Sequence, residues 1–179
     1  MSGVYAAKEI KAGKLRSDVF RLELLSEVHK VARLMKADLE ANTATWKHQP
    51  RWKENVSLRG GSSIYMELVD EGDAATIYKY VDRGTRPHEI WAGFYTGKSA
   101  HKTLAFPSVS TPKTQPNTLG SGPGSSSGPT VMVAHVDHPG GAARNFTDML
   151  QKKWQPLYKR HMEDAMRRAA AKCGHGRQK

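Results

Sequence analysis

The residues best suited to chemistry in this chain are His135, Asp137 and His138, with Asp82 and His88 elsewhere. Imidazole and carboxylate groups are suitable ligands for zinc or iron. The spacing argues against one shared centre. On an extended strand His135 and Asp137 point to one face and His138 to the other, and Pro139 then bends the chain away. No His-Glu-x-x-His or comparable ligand spacing is present. The reading at this level assigns no metal and no cofactor. It expects His138 to pack or hydrogen-bond at a turn, and Asp82 to accept from backbone donors around Gly84 and Thr85.

Nucleophilic catalysis has little to build on. Cys173 is the sole cysteine, so no intrachain disulfide can form, which fits a reducing compartment. His175 beside it could favour the thiolate, but the surroundings are a basic tail with no sign of a pocket. The Gly-x-Ser-x-Gly elbow, the P-loop and the dinucleotide fingerprint are all missing. The run from Gly120 to Gly128 is glycine- and serine-rich like a phosphate cradle, yet it lacks the lysine and the following helix. It reads as a flexible loop.

The elements that must position these residues can be read from periodicity. Val19, Leu22, Leu25, Val28, Met35 and Leu39 recur at helical spacing, so a helix is expected over about residues 17–41, capped by Ser17 or Asp18. Val56 and Leu58, then Ile64, Met66 and Leu68, alternate around Gly60-Gly61 as strand, turn and strand. Strands are also expected from His88, over Thr103 to Val109, and from Val131 to Val136. The segment 103–109 is read as the return strand of the His88 strand across Gly97-Lys98-Ser99. Ser110 to Thr130, with Pro116, Gly120, Gly124 and Gly128, reads as a long structureless loop, and such loops tend to be functional or disordered. Trp46 and Trp52 are expected as lids on the core. A last helix opens near Asn145, an N-cap candidate, and carries Phe146, Met149, Leu150, Leu157, Met162 and Met166 on one stripe. Pro156 predicts a kink or break near Trp154-Gln155. Gly174 ends it.

Two short motifs punctuate this pattern. The first is Tyr80-Val81-Asp82-Arg83-Gly84-Thr85-Arg86-Pro87-His88, and the second is His135-Val136-Asp137-His138-Pro139-Gly140. In each, Gly or Pro stops an element and re-aims the chain. Together with the strand Thr103-Leu104-Ala105-Phe106 and the helix opening near Phe146, this ordered set resembles the neck or tail-completion proteins of long-tailed phages and prophages, often labelled minor tail components. The residues that carry the resemblance are Tyr80, Asp82, Gly84 and Thr85, then Leu104, Ala105 and Phe106, then Val136, His138, Pro139 and Gly140. It spans about residues 15 to 170. The stretch between Phe106 and Val131 is longer than the family pattern.

Residues and resemblance imply the same fold: α+β, one antiparallel sheet of about four or five strands, and long N- and C-terminal helices packed on one face. The domain is expected over residues 16–172, with a basic arm at 1–15, the loop at 110–130 and a tail at 173–179. The resemblance further implies a non-enzymatic virion protein of the head–tail junction, made in the host cytoplasm. It would form a six- or twelve-fold ring with itself and dock on neck, head-closure, tail-terminator or tail-tube neighbours. The short motif at 74–81 is expected as a helix on the same grounds.

Composition sets the outer limits. The chain has 179 residues, a formal net charge of +11 and a hydrophobic fraction of 38%, low enough to suggest tails, a long polar loop, or surface buried only in an assembly. No apolar run approaches the ~20 residues of a membrane span, and the start of the chain lacks the apolar core of a signal peptide. Lysine and arginine concentrate at the ends, where Lys8, Lys11, Lys14, Arg16, Arg167, Arg168 and Lys172 are candidate contacts with an acidic partner or packaged DNA. The alternative functions are therefore a basic nucleic-acid-binding accessory protein and, with less to support it, a metal-dependent hydrolase.

Overall fold

The computed structural model describes residues 16–59, 63–93 and 103–175. The chain is α+β. Its order is α1 (Ser17–Thr43), β1 (Arg51–Arg59), β2 (Ser63–Glu71), α2 (Ala74–Arg83), β3 (His88–Trp91), β4 (Leu104–Thr111), β5 (Ser125–Val133), β6 (His135–His138) and α3 (Phe146–Lys172). Lys8, Lys11 and Lys14 lie outside the described residues, as does the Gly97-Lys98-Ser99 turn. No helix among the described residues is long and apolar enough to cross a membrane.

Two compact units are present. One comprises Met1–Leu34, Glu54–Glu67 and Trp154–Lys179, the other Met35–Lys53 and Leu68–Lys153. In the first, α1 and α3 run antiparallel, as their ion pairs show: Glu23 meets Arg168 and Lys172, and Glu27 meets His161 and Arg168. Val28, Val31, Ala32, Ala165 and Ala169 are buried here. Small alanines let two helices approach closely, and the carboxylates then reach across. Burial pushes the Glu27 carboxyl up, but the hydrogen bond from His161 and the charges of Lys30 and Arg168 outweigh it, so it titrates below the usual glutamate range.

The second unit is centred on aromatic rings. Tyr78 packs edge-on against Trp52 with centroids 4.9 Å apart, and lies 6.3 Å from Trp46 and 6.4 Å from Phe146. Phe146, Leu150 and Leu39 are buried in the same unit. Trp52 is thus a core residue, while Trp46 is half-buried.

The helix ends follow from side-chain chemistry. Asp18 sits in the first turn of α1, where a negative charge opposes the exposed N–H groups favourably. At the other end Asn42 Nδ2 donates to the Asp38 carbonyl at 2.8 Å, and Thr43 Oγ1 lies 3.3 Å from the Leu39 carbonyl. α3 ends in a Schellman motif: Gly174 has φ +80°, His175 N–H bonds the Ala170 carbonyl at 2.9 Å, and Gly174 N–H bonds Ala171 at 3.0 Å. The break expected at Pro156 is not there, and the helix is assigned unbroken through it. The missing N–H deprives the carbonyl of Lys152, four residues back, of its partner, and Lys152 lies on the exposed surface where water can replace it.

The strands depart further from expectation. Among the described residues they pair two by two, β1 with β2, β3 with β6 and β4 with β5, in place of one sheet of four or five. β3 takes β6 as its partner, not the segment at 103–109. The expected loop at 110–130 is strand only at its two ends, 110–111 and 125–130, with 112–124 in no strand: Ser110 pairs with Ser126, Thr111 with Ser125, and Pro107 with Thr130. Between Pro107 and Val109 the register shifts, so Ser108 faces both Gly128 and Pro129. Gly128 takes φ +84°, and a Cβ there would run into the Ser108 side chain. A glycine and a proline that read as loop composition are the residues a β-bulge requires.

Candidate functional site

The two motifs singled out in the sequence meet in space, inside the second unit. Thr85 N–H donates to the Gly141 carbonyl at 3.0 Å, and Gly141 N–H returns to the Thr85 carbonyl at 3.2 Å and to Thr85 Oγ1 at 2.9 Å. Gly84 and Gly140 both have positive φ, +76° and +84°. A Cβ on Gly84 would come within 2.5 Å of the Gly141 oxygen and 2.8 Å of the Ala143 nitrogen. One on Gly140 would lie 2.9 Å from the Arg86 carbonyl carbon, 3.0 Å from the Pro87 nitrogen and closer still to the Thr85 oxygen. Each glycine therefore makes room for the other motif's backbone, and each has a conformation that a β-branched residue strongly resists.

Asp82 completes this latch. Its carboxylate accepts from Thr147 N–H at 3.1 Å through Oδ1 and from Thr147 Oγ1 at 2.7 Å through Oδ2. Its carbonyl accepts from Arg144 and Asn145 N–H at 3.0 and 2.9 Å. The expected bonds to Gly84 and Thr85 are thus replaced by a cap on the last helix. The physical reason is the helix dipole: a carboxylate is out of place at the C-terminal end of α2 but well placed at the N-terminus of α3. Asn145 holds the N-cap position, since its carbonyl takes the Met149 N–H at 3.0 Å. Its own φ is +58°, and its side chain instead donates to Asn117 Oδ1 at 2.7 Å. The capping side chain comes from 63 residues earlier in the sequence (145 − 82).

Tyr78 belongs to the same assembly, its hydroxyl 3.4 Å from Thr147 Oγ1. Burial, helped by the charges of Asp82 and Asp70, pushes its phenol up to about 12, against the hydrogen bond to Thr147. Tyr80, by contrast, is exposed on α2, and Pro87 is exposed beside the latch. His138 Nδ1 accepts from Gly140 N–H at 3.0 Å, the turn role expected of it.

The segment 112–124 is tied to the end of α1 and the start of α3. Gly120 N–H donates to Asn42 Oδ1, Thr45 Oγ1 donates to the Gly122 carbonyl at 2.7 Å, and Lys113 Nζ reaches the Thr45 carbonyl. Asn117 N–H donates to the Arg144 carbonyl at 3.0 Å. Gly124, with φ +62°, approaches Thr111 and Lys113 too closely to admit a Cβ. The Pro116 carbonyl accepts a local bond from Thr118 Oγ1 at 3.3 Å.

The candidate metal ligands are sorted as the strand alternation predicted. His135 and Asp137 share a face, and His138 turns to the other, where its ring lies 5.0 Å from that of His88. Glu89, which sequence reasoning missed, stands directly across from Asp137, because β3 and β6 pair. Nothing local in the sequence gives that register. Asp82 is remote from these groups in role, being occupied by Thr147.

The candidate basic contacts within the described residues are all engaged with carboxylates: Arg16 with Asp18, Arg167 with Asp164, Arg168 with Glu23 and Glu27, and Lys172 with Glu23. Compared with protein-family models, curated proteins and solved structures, the chain matches none.

Proposed function

We propose that this chain is a structural virion protein of a tailed phage or prophage, part of the neck or tail-completion ring. The observation that carries this reading is the latch. The residues by which the chain resembles that family, Asp82, Gly84, Thr85 and Gly140, are spent on holding α2, β3, β6 and α3 together, not on lining a catalytic cleft. The strands support the same reading. Each has one partner among the described residues and so one free edge, and isolated two-stranded ribbons are marginal in water. The β4–β5 ribbon also exposes Phe106, Val109 and Met132. Pairing of these edges between subunits would build the continuous four- or five-stranded sheet in the assembled ring.

Deletion of the gene is expected to yield DNA-filled heads and separate tails, restored to joined particles by the gene in trans. Infectious, fully joined particles from the deletion would remove the junction role. Tight binding of the purified protein to bare DNA, falling steeply with salt, would instead favour the nucleic-acid-binding function.

A further inference from the structure

We propose that Glu89, His135 and Asp137 form a divalent-cation site on the outer face of the β3–β6 ribbon, suited to zinc, which ties the two strands together. The donor set is two carboxylates and one imidazole, with ligand atoms all within 4.8 Å of one another. Zinc takes such nitrogen and oxygen donors at about 2.0–2.2 Å, which places two tetrahedral ligands about 3.3 Å apart. His135 Nε2 lies 3.2 Å from Asp137 Oδ1 and 3.9 Å from Glu89 Oε2. One small side-chain adjustment of exposed Glu89 would close the set.

Three further features set this cluster apart from a chance meeting of surface acids. First, the ribbon fixes it: Glu89 is the cross-strand partner of Asp137, and Trp91 that of His135, so all four side chains share one face. Second, the His135 side chain is 30% exposed but its Nε2 is shielded from solvent, and that atom makes no well-aligned hydrogen bond even to Asp137 Oδ1, 3.2 Å away. An imidazole nitrogen placed so, with two carboxylates beside it, calls for a cation in the gap. Third, Trp91 orients two of the ligands. Its ring stacks on His135 with centroids 4.3 Å apart, and its Nε1–H donates to Glu89 Oε2 at 3.1 Å. Supporting contacts of this kind tune metal affinity. The site has three protein donors and an outward side open to water. Its consequence is structural: a ribbon of four residues per strand gains a cross-link that its few hydrogen bonds cannot supply.

The test uses the full chain, stripped with a chelator and dialysed against zinc, with bound metal measured per chain. One zinc per chain is expected, together with a higher unfolding temperature. Cobalt substitution should give visible absorption bands typical of a site with mixed nitrogen and oxygen ligands. His135→Ala, Asp137→Asn and Glu89→Gln should each weaken binding about tenfold or more, and Trp91→Phe by about tenfold. His29→Ala, His48→Ala and Cys173→Ser, which remove other donors, should leave it unchanged. Asp137→Asn guards against misfolding, since it keeps the size and the strand. Failure of the wild type to retain zinc, or zinc retained undiminished by both His135→Ala and Asp137→Asn, would overturn the proposal. Either result leaves the junction role standing, because that role rests on the latch.

Discussion

Asp82 acts where its own helix has no use for it. It is buried, at the end of α2, and serves the first turn of α3. Replacing it with alanine removes a cap and should cost about 1–2 kcal/mol. Asparagine keeps an acceptor and should cost less. The two latch glycines should be less forgiving. Valine at Gly84 or Gly140 adds strain on the order of 1–3 kcal/mol from positive φ, and the new Cβ meets backbone atoms that cannot swing aside. Urea unfolding of each variant should show Gly84→Val and Gly140→Val less stable than Asp82→Ala, with loss of soluble protein. Wild-type stability for both would contradict the latch. The glycines and the order of the motifs were legible in the sequence, because positive φ and tight turns leave a compositional mark. Thr147 as Asp82's partner was not, since a cap supplied by a distant residue leaves no local pattern.

At the level of elements, the helices were readable and the strand pairing was not. Apolar residues at helical spacing placed α1 within two residues of its observed end at Thr43, and Gly174 marked the end of α3. Pro156 misled because proline's penalty depends on whether the orphaned carbonyl can reach water. Pairing is non-local: His88 to Trp91 could as well have met 103–109, and only the fold selects β6. The polar contact of α1 with α3 carries a pH signature. Hydrogen bonds from Lys172 and Arg168 hold the Glu23 carboxyl low against a smaller effect of burial, and Glu27 also lies low despite burial. Both folded values fall beneath the ordinary 4.5, so the unfolded chain binds more protons in that window. Stability from these pairs is complete above about pH 4.5 and is lost as pH falls through the folded values. Thermal unfolding at pH 6 and pH 3 should show a larger drop for the wild type than for Glu27→Gln. Equal drops would mean that the pairs are only surface decoration.

For the whole molecule, the question is what a chain with this much exposed apolar surface does in isolation. Leu22, Tyr65, Trp91, Val109, Met132 and Met166 are all at least half exposed. Single exposed apolar residues are ordinary, but Val109 and Met132 sit on a ribbon whose strands contain no charged residue. Proteins usually guard a free strand edge with lysine, and this ribbon is guarded only by its bulge at Ser108. In the proposed ring, a neighbouring subunit would cover this ribbon. Formal charge of +11 would keep the free subunits apart, so assembly would need a template ring that supplies acidic or apolar surface. Val109→Lys combined with Met132→Lys should leave the isolated chain's unfolding temperature within about 4 °C of wild type, because exposed substitutions rarely move stability by more than ~0.5 kcal/mol each. The same double variant should fail to enter particles when it replaces the wild type in a deletion strain. Normal incorporation would show that the β4–β5 ribbon faces solvent in the virion as well, and the assembly contact would then have to be sought on the free edges of β1–β2 or β3–β6.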